Sequence, residues 1–491
     1  LKENLKFRIY DIVYMYTLIG GEKIDSKDKI EVRNPATGEI IDYVPSLSLE
    51  DVRKAIDLAY EEFEKINKIT PAKRSNLLNN IASKIRENVE DLSKTMTLET
   101  GRPIKSSRAE IERTAKIFEL ASSELRRALE GQFIPLDLYD TPPGNENRIA
   151  FIKREPIGVV GAITPFNFPA ASFAHKVAPA IAVGNTVVFK PSSLTPLTQI
   201  KLAEIVNQII PKSVNIVTGN SEMIGNEFVK NRKISLITFT GSVEVGLALA
   251  SQAIKEGKRV IMELGGSDAM IILEDADLNK AVKSALVGRF DFAGQFCNAT
   301  KRIIVRKEIE KEFSNKLVEA VRKLKSGDPL SEDVDIPPLI SNQAVMRMKE
   351  FLQNAEKEGG QVIFKGTVPS IGYYFPPTVI KLSKDSNARI LKEEVFGPIL
   401  PIVSVDSDDE AVKVANSTEY GLDASVFTSN FSRAYDIASK LKAGTVIIND
   451  TTRLRWDNLP FGGVMKSGIG RESIINTMLE MTEQKLVVYS R

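Results

Sequence analysis

Apolar residues in LEDVRKAIDLAYEEFEKI (49–66) and PAKRSNLLNNIASKIRENVEDLSKTMTL (71–98) recur at three- and four-residue spacing. That period predicts two amphipathic helices, the second opening with Pro71 in its first turn. They form an all-helical lead-in, with only a short strand expected before them at 16–19. From about residue 157 the texture changes to short apolar runs alternating with helical segments. IGVVGAIT, NTVVFK, VNIVTG, SLITFTG and RVIMELGG are separated by helices near 170–182, 197–209 and 221–229 and one starting at 243. A second series follows, with DAMIILE, RIIVR, a helix near 308–324, QVIFKG, LPIVSVD, a helix near 408–415, ASVFTS and TVIINDTT. Strands buried on both faces and joined by helical crossovers predict an α/β fold with two doubly wound parallel-sheet domains, the second running from about 264 to 475. Residues 132–152 and the ending QKLVVYS have strand character but belong to neither series. They can pair with each other or with another subunit.

A chain of 491 residues is long enough for two substantial cores. Lys and Arg number 66 against 64 Asp and Glu, so a net charge of +2 gives no reason to expect nucleic acid as a partner. No apolar stretch approaches the roughly 20 residues of a membrane span, and the N-terminal LKENLKFRIYDIVYMY lacks a signal peptide's apolar core. One cysteine cannot form an internal disulfide, and a cytoplasmic protein is expected. With one histidine and one cysteine, a His/Cys zinc site is not expected, and no metal is assigned.

Four segments carry possible chemistry. Cys297 stands in Gly294-Gln295-Phe296-Cys297-Asn298, a glycine-bearing turn between a helix expected to end near Ala293 and the RIIV strand. It is either a presented nucleophile or, as is commoner for a lone cysteine, a small buried side chain. Glu263 ends the RVIM strand before Leu264, Gly265 and Gly266. It is placed to activate water or is a solvated turn residue. Phe239-Thr240-Gly241-Ser242 closes SLIT and opens a helix, where Ser242 and nearby amides could hold a phosphate or Ser242 could simply cap. Gly219 and Gly225 follow VNIVT at a similar spacing. Asn167, bracketed by prolines in TPFNFP, can donate to a developing oxyanion or satisfy its own turn.

In chain order these segments resemble the aldehyde dehydrogenase superfamily from about residue 16 to the C-terminus. The resemblance is carried by TPFNFP (164–169), GNTVVFKPSS (184–193), FTGS (239–242), ELGG (263–266), GQFCNA (294–299), EEVFGP (393–398) and PFGGVMKSGIGRE (460–472). It implies a Rossmann-like NAD(P)-binding domain over 16–131 and 153–263, a catalytic domain over 264–475, and a β oligomerisation arm from 132–152 and 476–491. Residues 1–15 are left as an extension of unknown role. The resemblance implies Cys297 as nucleophile, Asn167 and the Cys297 amide as oxyanion donors, Glu263 as the activator of water, and Lys176 as a fourth catalytic residue. For the cofactor it implies Lys190 at the adenosine ribose, Ser242 at the pyrophosphate, Glu394 at the nicotinamide ribose and Phe396 by the nicotinamide. Ile163, Thr164, Pro165, Phe166, Ser193, Gly225, Phe239, Gly241 and Leu264 complete that cleft.

Strongly NAD-preferring members often carry glutamate three residues after the lysine; here Ser193 stands there, so NADP is expected to serve at least as well as NAD. INDTTRLRWDNLPFGG is similar to the archaeal branch of non-phosphorylating glyceraldehyde-3-phosphate dehydrogenases and lactaldehyde or glyceraldehyde dehydrogenases. Phosphate-substrate members commonly place Arg before the nucleophile and Tyr after the asparagine, where this chain has Phe296 and Phe168. Arg453 and Arg455 are either anion ligands at the substrate mouth or surface cations. The expected partner is a small aldehyde, oxidised to its acid, with succinic semialdehyde or a broad aldehyde range as the alternative. A homodimer or homotetramer is expected from the arm. Rivals of another class are an inactive relative and a Cys-His hydrolase using Cys297 and His175.

Overall fold

The computed structural model describes residues 15–490. The extension expected over residues 1–15 lies, apart from Met15, outside the described residues. The lead-in is not all helical, because two hairpins precede the first helix. Thr17–Ile19 pairs with Glu22–Ile24 across Gly20 and Gly21, whose φ of 61° and 81° are the left-handed values a two-residue hairpin turn needs. Lys29–Arg33 pairs with Ile40–Pro45. The helix Leu49–Ile66 then starts on a capping box, Ser48 with Asp51, and buries Val52, Ala55, Ile56 and Ala59. The single helix expected over 71–98 is two, Pro71–Glu87 and Val89–Thr100. Asn88 leaves the helical region at φ −111° and ψ 16°, and its side-chain amide donates back to the Lys84 carbonyl at 2.8 Å. A further helix, Ile104–Leu129, packs across this pair.

The first strand series forms a six-stranded sheet. Its order is Gly468–Ile469, Arg259–Glu263, Ile234–Thr240, Val159–Ile163, Thr186–Lys190 and Val214–Ile216. The first of these is antiparallel and the other five are parallel. The chain starts at the central Val159–Ile163 strand, winds outward to one side and then returns to build the other, so the order reverses beside that strand. Such a reversal opens a crevice at the carboxyl ends of the strands. Those ends are Ile163, Lys190, Thr240 and Glu263.

The second series forms a seven-stranded sheet ordered Gln361–Lys365, Thr378–Leu382, Ile399–Val405, Thr300–Arg306, Asp268–Ile272, Asp423–Phe427 and Thr445–Ile448. Only the Gln361–Lys365 edge is antiparallel. Cys297 lies three residues before Thr300–Arg306, so the amino-terminal edge of this sheet faces the carboxyl edge of the other. The two outlying segments pair with each other. Thr482–Ser490 runs antiparallel to the whole of Arg148–Pro156, and Gln132–Pro135 lies on the other side. Phe133, Phe151, Leu486, Val488 and Tyr489 stand exposed on this three-stranded arm. Among the described residues no helix is long and apolar enough to cross a membrane.

Candidate active site

The turn that presents Cys297 is strained and held by its neighbours. The preceding helix, Leu278–Phe290, stops three residues earlier than expected, and Phe292, Ala293 and Gly294 follow at φ of 45°, 52° and 73°. Left-handed backbone costs a non-glycine residue roughly 1–2 kcal/mol, so such a run persists only when contacts fix it. Gln295 supplies them. Its amide donates to the carbonyls of Phe292 and Pro338, each at 3.2 Å, and its oxygen accepts from the Ile340 amide at 2.9 Å. Gly294 itself is obligatory, because a Cβ there would lie 2.7 Å from the Arg289 and Gly397 carbonyl oxygens. The Arg102 guanidinium lies 4.4 Å from the ring centres of both Phe292 and Phe168, and donates to the Asn167 carbonyl at 2.6 Å.

Cys297 and Glu263 meet across the junction of the two sheets. The thiol is half-buried and donates to the Glu263 carboxylate. Burial raises the Glu263 carboxyl to about 8, Glu472 adds to the rise, and Arg455 opposes it. Burial and then the Glu263 charge push the thiol well above its ordinary value, while Lys301 pulls it down. The resting pair is therefore a neutral thiol beside a carboxyl whose titration is moved to about 8. The Glu263 Oε1 has no hydrogen-bond partner among the described residues. Asn167 Nδ2 donates to the Gln295 carbonyl at 2.9 Å, which sets the side-chain amide beside the cysteine turn.

Behind this pair lies a chain of charges. Glu472 accepts from Lys176 Nζ at 3.1 Å and from Arg455 Nη2 at 2.8 Å. Burial would raise its carboxyl, but these two cations hold it well below the usual range. His175 Nε2 lies 3.0 Å from Asp457 Oδ1, and burial followed by the Arg455 charge lowers the imidazole. The histidine is thus engaged by Asp457 while the thiol is engaged by Glu263, an arrangement that gives no support to a Cys-His pair.

One cavity of about 1310 Å³ joins the crevice of the first sheet to Cys297. Its wall brings together Ile163, Thr164, Pro165, Phe166, Asn167, Phe168, Lys190, Ser193, Gly225, Phe239, Gly241, Ser242, Glu263, Cys297, Glu394, Phe396, Arg453 and Arg455. Three of the residues assigned to the site from the sequence stand off the wall. Lys176 turns to Glu472 and to Thr238 Oγ1, the latter at 3.0 Å. Leu264 is fully buried beneath Gly246, where an added Cβ would lie 2.2 Å from its Cδ2. Phe296 is fully buried, with the Arg453 guanidinium 3.3 Å from its ring centre and Phe168 at 5.2 Å. The wall also holds Arg113, His175, Thr240 and Glu472. Of these, Thr240 lay in FTGS and Glu472 closed PFGGVMKSGIGRE, His175 entered only through the rival hydrolase reading, and Arg113 lay in no segment singled out from the sequence.

The crevice fits a dinucleotide. Ser242 sits at the N-cap of Val243–Lys255 but makes no capping bond through its side chain, and the neighbouring Thr240 Oγ1 is buried without a partner. The Ser242 hydroxyl and the helix amides are thereby free for a phosphate. The bare Gly241 lets the ring of Phe239 close in, since a Cβ there would lie 2.6 Å from Phe239 Cζ. Lys190 Nζ donates to Ser221 Oγ at 2.7 Å, and burial lowers its ammonium to about 8. Glu394 Oε1 accepts from the Gly266 amide at 3.2 Å at the inner end.

A dinucleotide crevice ending at a thiol and a buried carboxyl is the layout of a nicotinamide-dependent oxidoreductase that works over a cysteine. The aldehyde dehydrogenase family model matches residues 23–487, and the chain belongs to that family of NAD(P)-dependent enzymes acting on aldehydes. A lactaldehyde dehydrogenase of Methanococcus aeolicus is 42% identical over 96% of this chain and 99% of its own length. A mitochondrial succinate-semialdehyde dehydrogenase of Arabidopsis thaliana is 38% identical over 98% of this chain and 90% of its own length. The crystal structure of glyceraldehyde-3-phosphate dehydrogenase GapN from Methanocaldococcus jannaschii, complexed with NADP, superposes with a TM-score of 0.89 at 39% identity, covering 95% of this chain and all of that one.

Proposed function

We propose that the protein oxidises short 2-hydroxyaldehydes such as lactaldehyde or glyceraldehyde to their acids, with NADP used at least as well as NAD. The observation that carries the reaction is the Cys297–Glu263 pair at the end of the dinucleotide crevice. Glu263 takes the thiol proton as Cys297 bonds to the aldehyde carbon. The resulting oxyanion is held by the Asn167 amide and the Cys297 backbone N–H, donors fixed where the charge develops. When bound, the nicotinamide supplies the acceptor for the hydride that leaves this carbon. The product is a thioester on Cys297; once Glu263 has passed the thiol's proton to solvent, it takes a proton from the water that attacks the thioester and returns it to the departing thiolate, releasing the acid and restoring the thiol. Lys190, Ser193, Ser242, Glu394 and Phe396 hold the cofactor. Lys176 and Arg455 hold Glu472 ionised behind the base.

The substrate end of the cavity is polar, lined by Ser172, His175, Arg113, Arg453 and Arg455 around Phe168 and Phe461. Its cations already have acidic partners, with Arg455 on Glu472 at 2.8 Å and Arg453 near Asp291 at 3.3 Å. That pairing favours hydroxyl-bearing substrates over anionic ones. The phosphorylated alternative, glyceraldehyde-3-phosphate, has one observation behind it: Arg453 Nε is buried without a partner, and its guanidinium lies close enough to Cys297 for their charges to interact. Initial rates with lactaldehyde, glyceraldehyde, glyceraldehyde-3-phosphate and succinic semialdehyde separate these readings. The highest kcat/KM is expected for a hydroxyaldehyde, with Arg453→Met changing it less than about threefold. A preference for glyceraldehyde-3-phosphate that Arg453→Met lowers by about 10–100-fold, the worth of a charge-assisted hydrogen bond, selects the phosphate reading.

Ser193→Glu tests the cofactor assignment, because a carboxylate at the adenosine ribose repels a 2′-phosphate. The NADP/NAD ratio of kcat/KM is expected to fall at least about tenfold. A wild-type ratio well below one contradicts the proposed preference. The three-stranded arm, with its exposed apolar side chains, supports a homodimer or homotetramer, which light scattering reads directly.

A further inference from the structure

Lys301 is a fully buried lysine on Thr300–Arg306 that stands off the cavity wall. Its ammonium donates to the Phe296 carbonyl at 2.8 Å and also to the Cys297 carbonyl. It lies 3.7 Å from Glu394 Oε1. Burying a lysine beside two backbone carbonyls is costly unless those contacts and nearby carboxylates compensate for lost water. Asp268 at the start of the adjacent strand also feels its charge. Three features of the site therefore converge on one ammonium: the two peptides around the nucleophile and the glutamate at the inner end of the crevice.

Peptide planarity turns this contact into a statement about the oxyanion site. In a trans peptide the C=O of one residue and the N–H of the next point in opposite directions. The Phe296 carbonyl is drawn to Lys301, so the Cys297 N–H points away from it. Gln295, Cys297 and Asn298 line the cavity whereas Lys301 lies behind them, so the side away from Lys301 is the cavity side. The preceding run of left-handed residues gives the turn other rotations to relax into, and a flipped peptide would aim a carbonyl oxygen where a donor is required.

We propose that Lys301 is a positioning residue that locks the Phe296–Cys297 peptide with its N–H turned to the oxyanion, and ties that turn to Glu394. The proposal rests on the reading of Cys297 as the nucleophile. Lys301 touches neither substrate nor thiol. Beyond the pull of its charge on the thiol, its effect passes through the backbone donor, and is greatest in steps that build negative charge on oxygen.

Two reactions of the same thiol separate this role from a structural one. Hydrolysis of p-nitrophenyl acetate passes through an oxyanion, whereas alkylation by iodoacetamide displaces iodide and forms none. In Lys301→Met, both kcat for aldehyde oxidation and ester hydrolysis are expected to fall about 10²-fold, the loss typical of one oxyanion donor. All three rates are compared as the pH-independent limits of their pH profiles, which removes the effect of Lys301 on ionisation of the thiol, and the alkylation limit is expected to stay within about threefold. Lys301→Gln, which retains a neutral donor and is the fallback if the methionine variant does not fold, is expected to lose about tenfold in the two oxyanion-forming reactions with the same sparing of alkylation. Equal loss in all three reactions, or retention of more than about a third of wild-type kcat by Lys301→Met, overturns the proposal. A Cys297→Ser control that leaves aldehyde oxidation intact sinks the reading of Cys297 instead.

Discussion

Replacing Cys297 with serine is expected to lower aldehyde oxidation by at least about 10⁴-fold while leaving NADP binding nearly unchanged. The serine keeps the size and hydrogen-bonding capacity of the side chain, so the strained turn at Phe292 and Ala293 has no new reason to relax. The loss lies in the proton transfer. Even a thiol raised by burial and by Glu263 remains far more acidic than an alcohol, and a carboxylate with a pKa of about 8 can share its proton during attack. The same base is too weak to activate a serine hydroxyl. Nor would an alkoxide-derived ester match a thioester in its susceptibility to water. Steady-state rates, with cofactor affinity measured by fluorescence titration, check the expectation. A serine variant that retains more than about 1% of wild-type turnover would sink the covalent mechanism.

Much of the scaffold around this cysteine was legible because its determinants are local. Strands such as Val159–Ile163 and Thr186–Lys190 are buried almost throughout, and their apolar runs VVGAI and VVF mark them out from the flanking helices. The residues at their carboxyl ends then fall on the crevice by topology alone. The helix Ile104–Leu129 was harder to read, since its buried face includes Ser107, Glu110, Thr114 and Ser122 among the apolar residues. Those polar positions dilute the periodic signal, although Glu110 is there to accept the amides of Ala170 and Ala171 at the start of Pro169–Val183. Arg113, on the wall of the substrate pocket, arrives on that same helix.

What escaped the sequence was decided by contacts between distant segments. Positive φ at Phe292 and Ala293 runs against intrinsic preference, and is imposed by Gln295, Pro338 and the Arg102 guanidinium. Lys176 is on a helix that borders the cavity, but the direction of its side chain is set by Glu472, 296 residues away. Phe296, beside the nucleophile in sequence, turns inward because Phe168, Phe292 and Arg453 enclose it. Neighbourhood in the chain placed these residues near the chemistry, and tertiary packing decided which of them reach it.

Glu263→Gln is expected to lower steady-state kcat by about 10²–10⁴-fold, the range for loss of a general base, and to abolish a specific pH dependence. Glutamine fills the same space and can still accept the thiol's hydrogen bond, but it cannot remove a proton from thiol or water. On the proposed mechanism the active form of Glu263 is the carboxylate. With its pKa raised to about 8 by burial, that form grows as pH rises, so kcat should climb from pH 6 to 9. The variant should lack this limb. The same shift has an opposite consequence for stability. A carboxyl that binds its proton more tightly folded than unfolded favours the native state below its unfolded pKa, and that contribution is lost as pH rises toward about 8. The Tm of Glu263→Gln relative to wild type is therefore expected to increase between pH 5 and 8, over the range in which wild-type kcat begins to rise. A variant with wild-type pH dependence in kcat would remove Glu263 from the base role, whereas loss of the kcat limb with a flat Tm difference would place the titrating group elsewhere in the site.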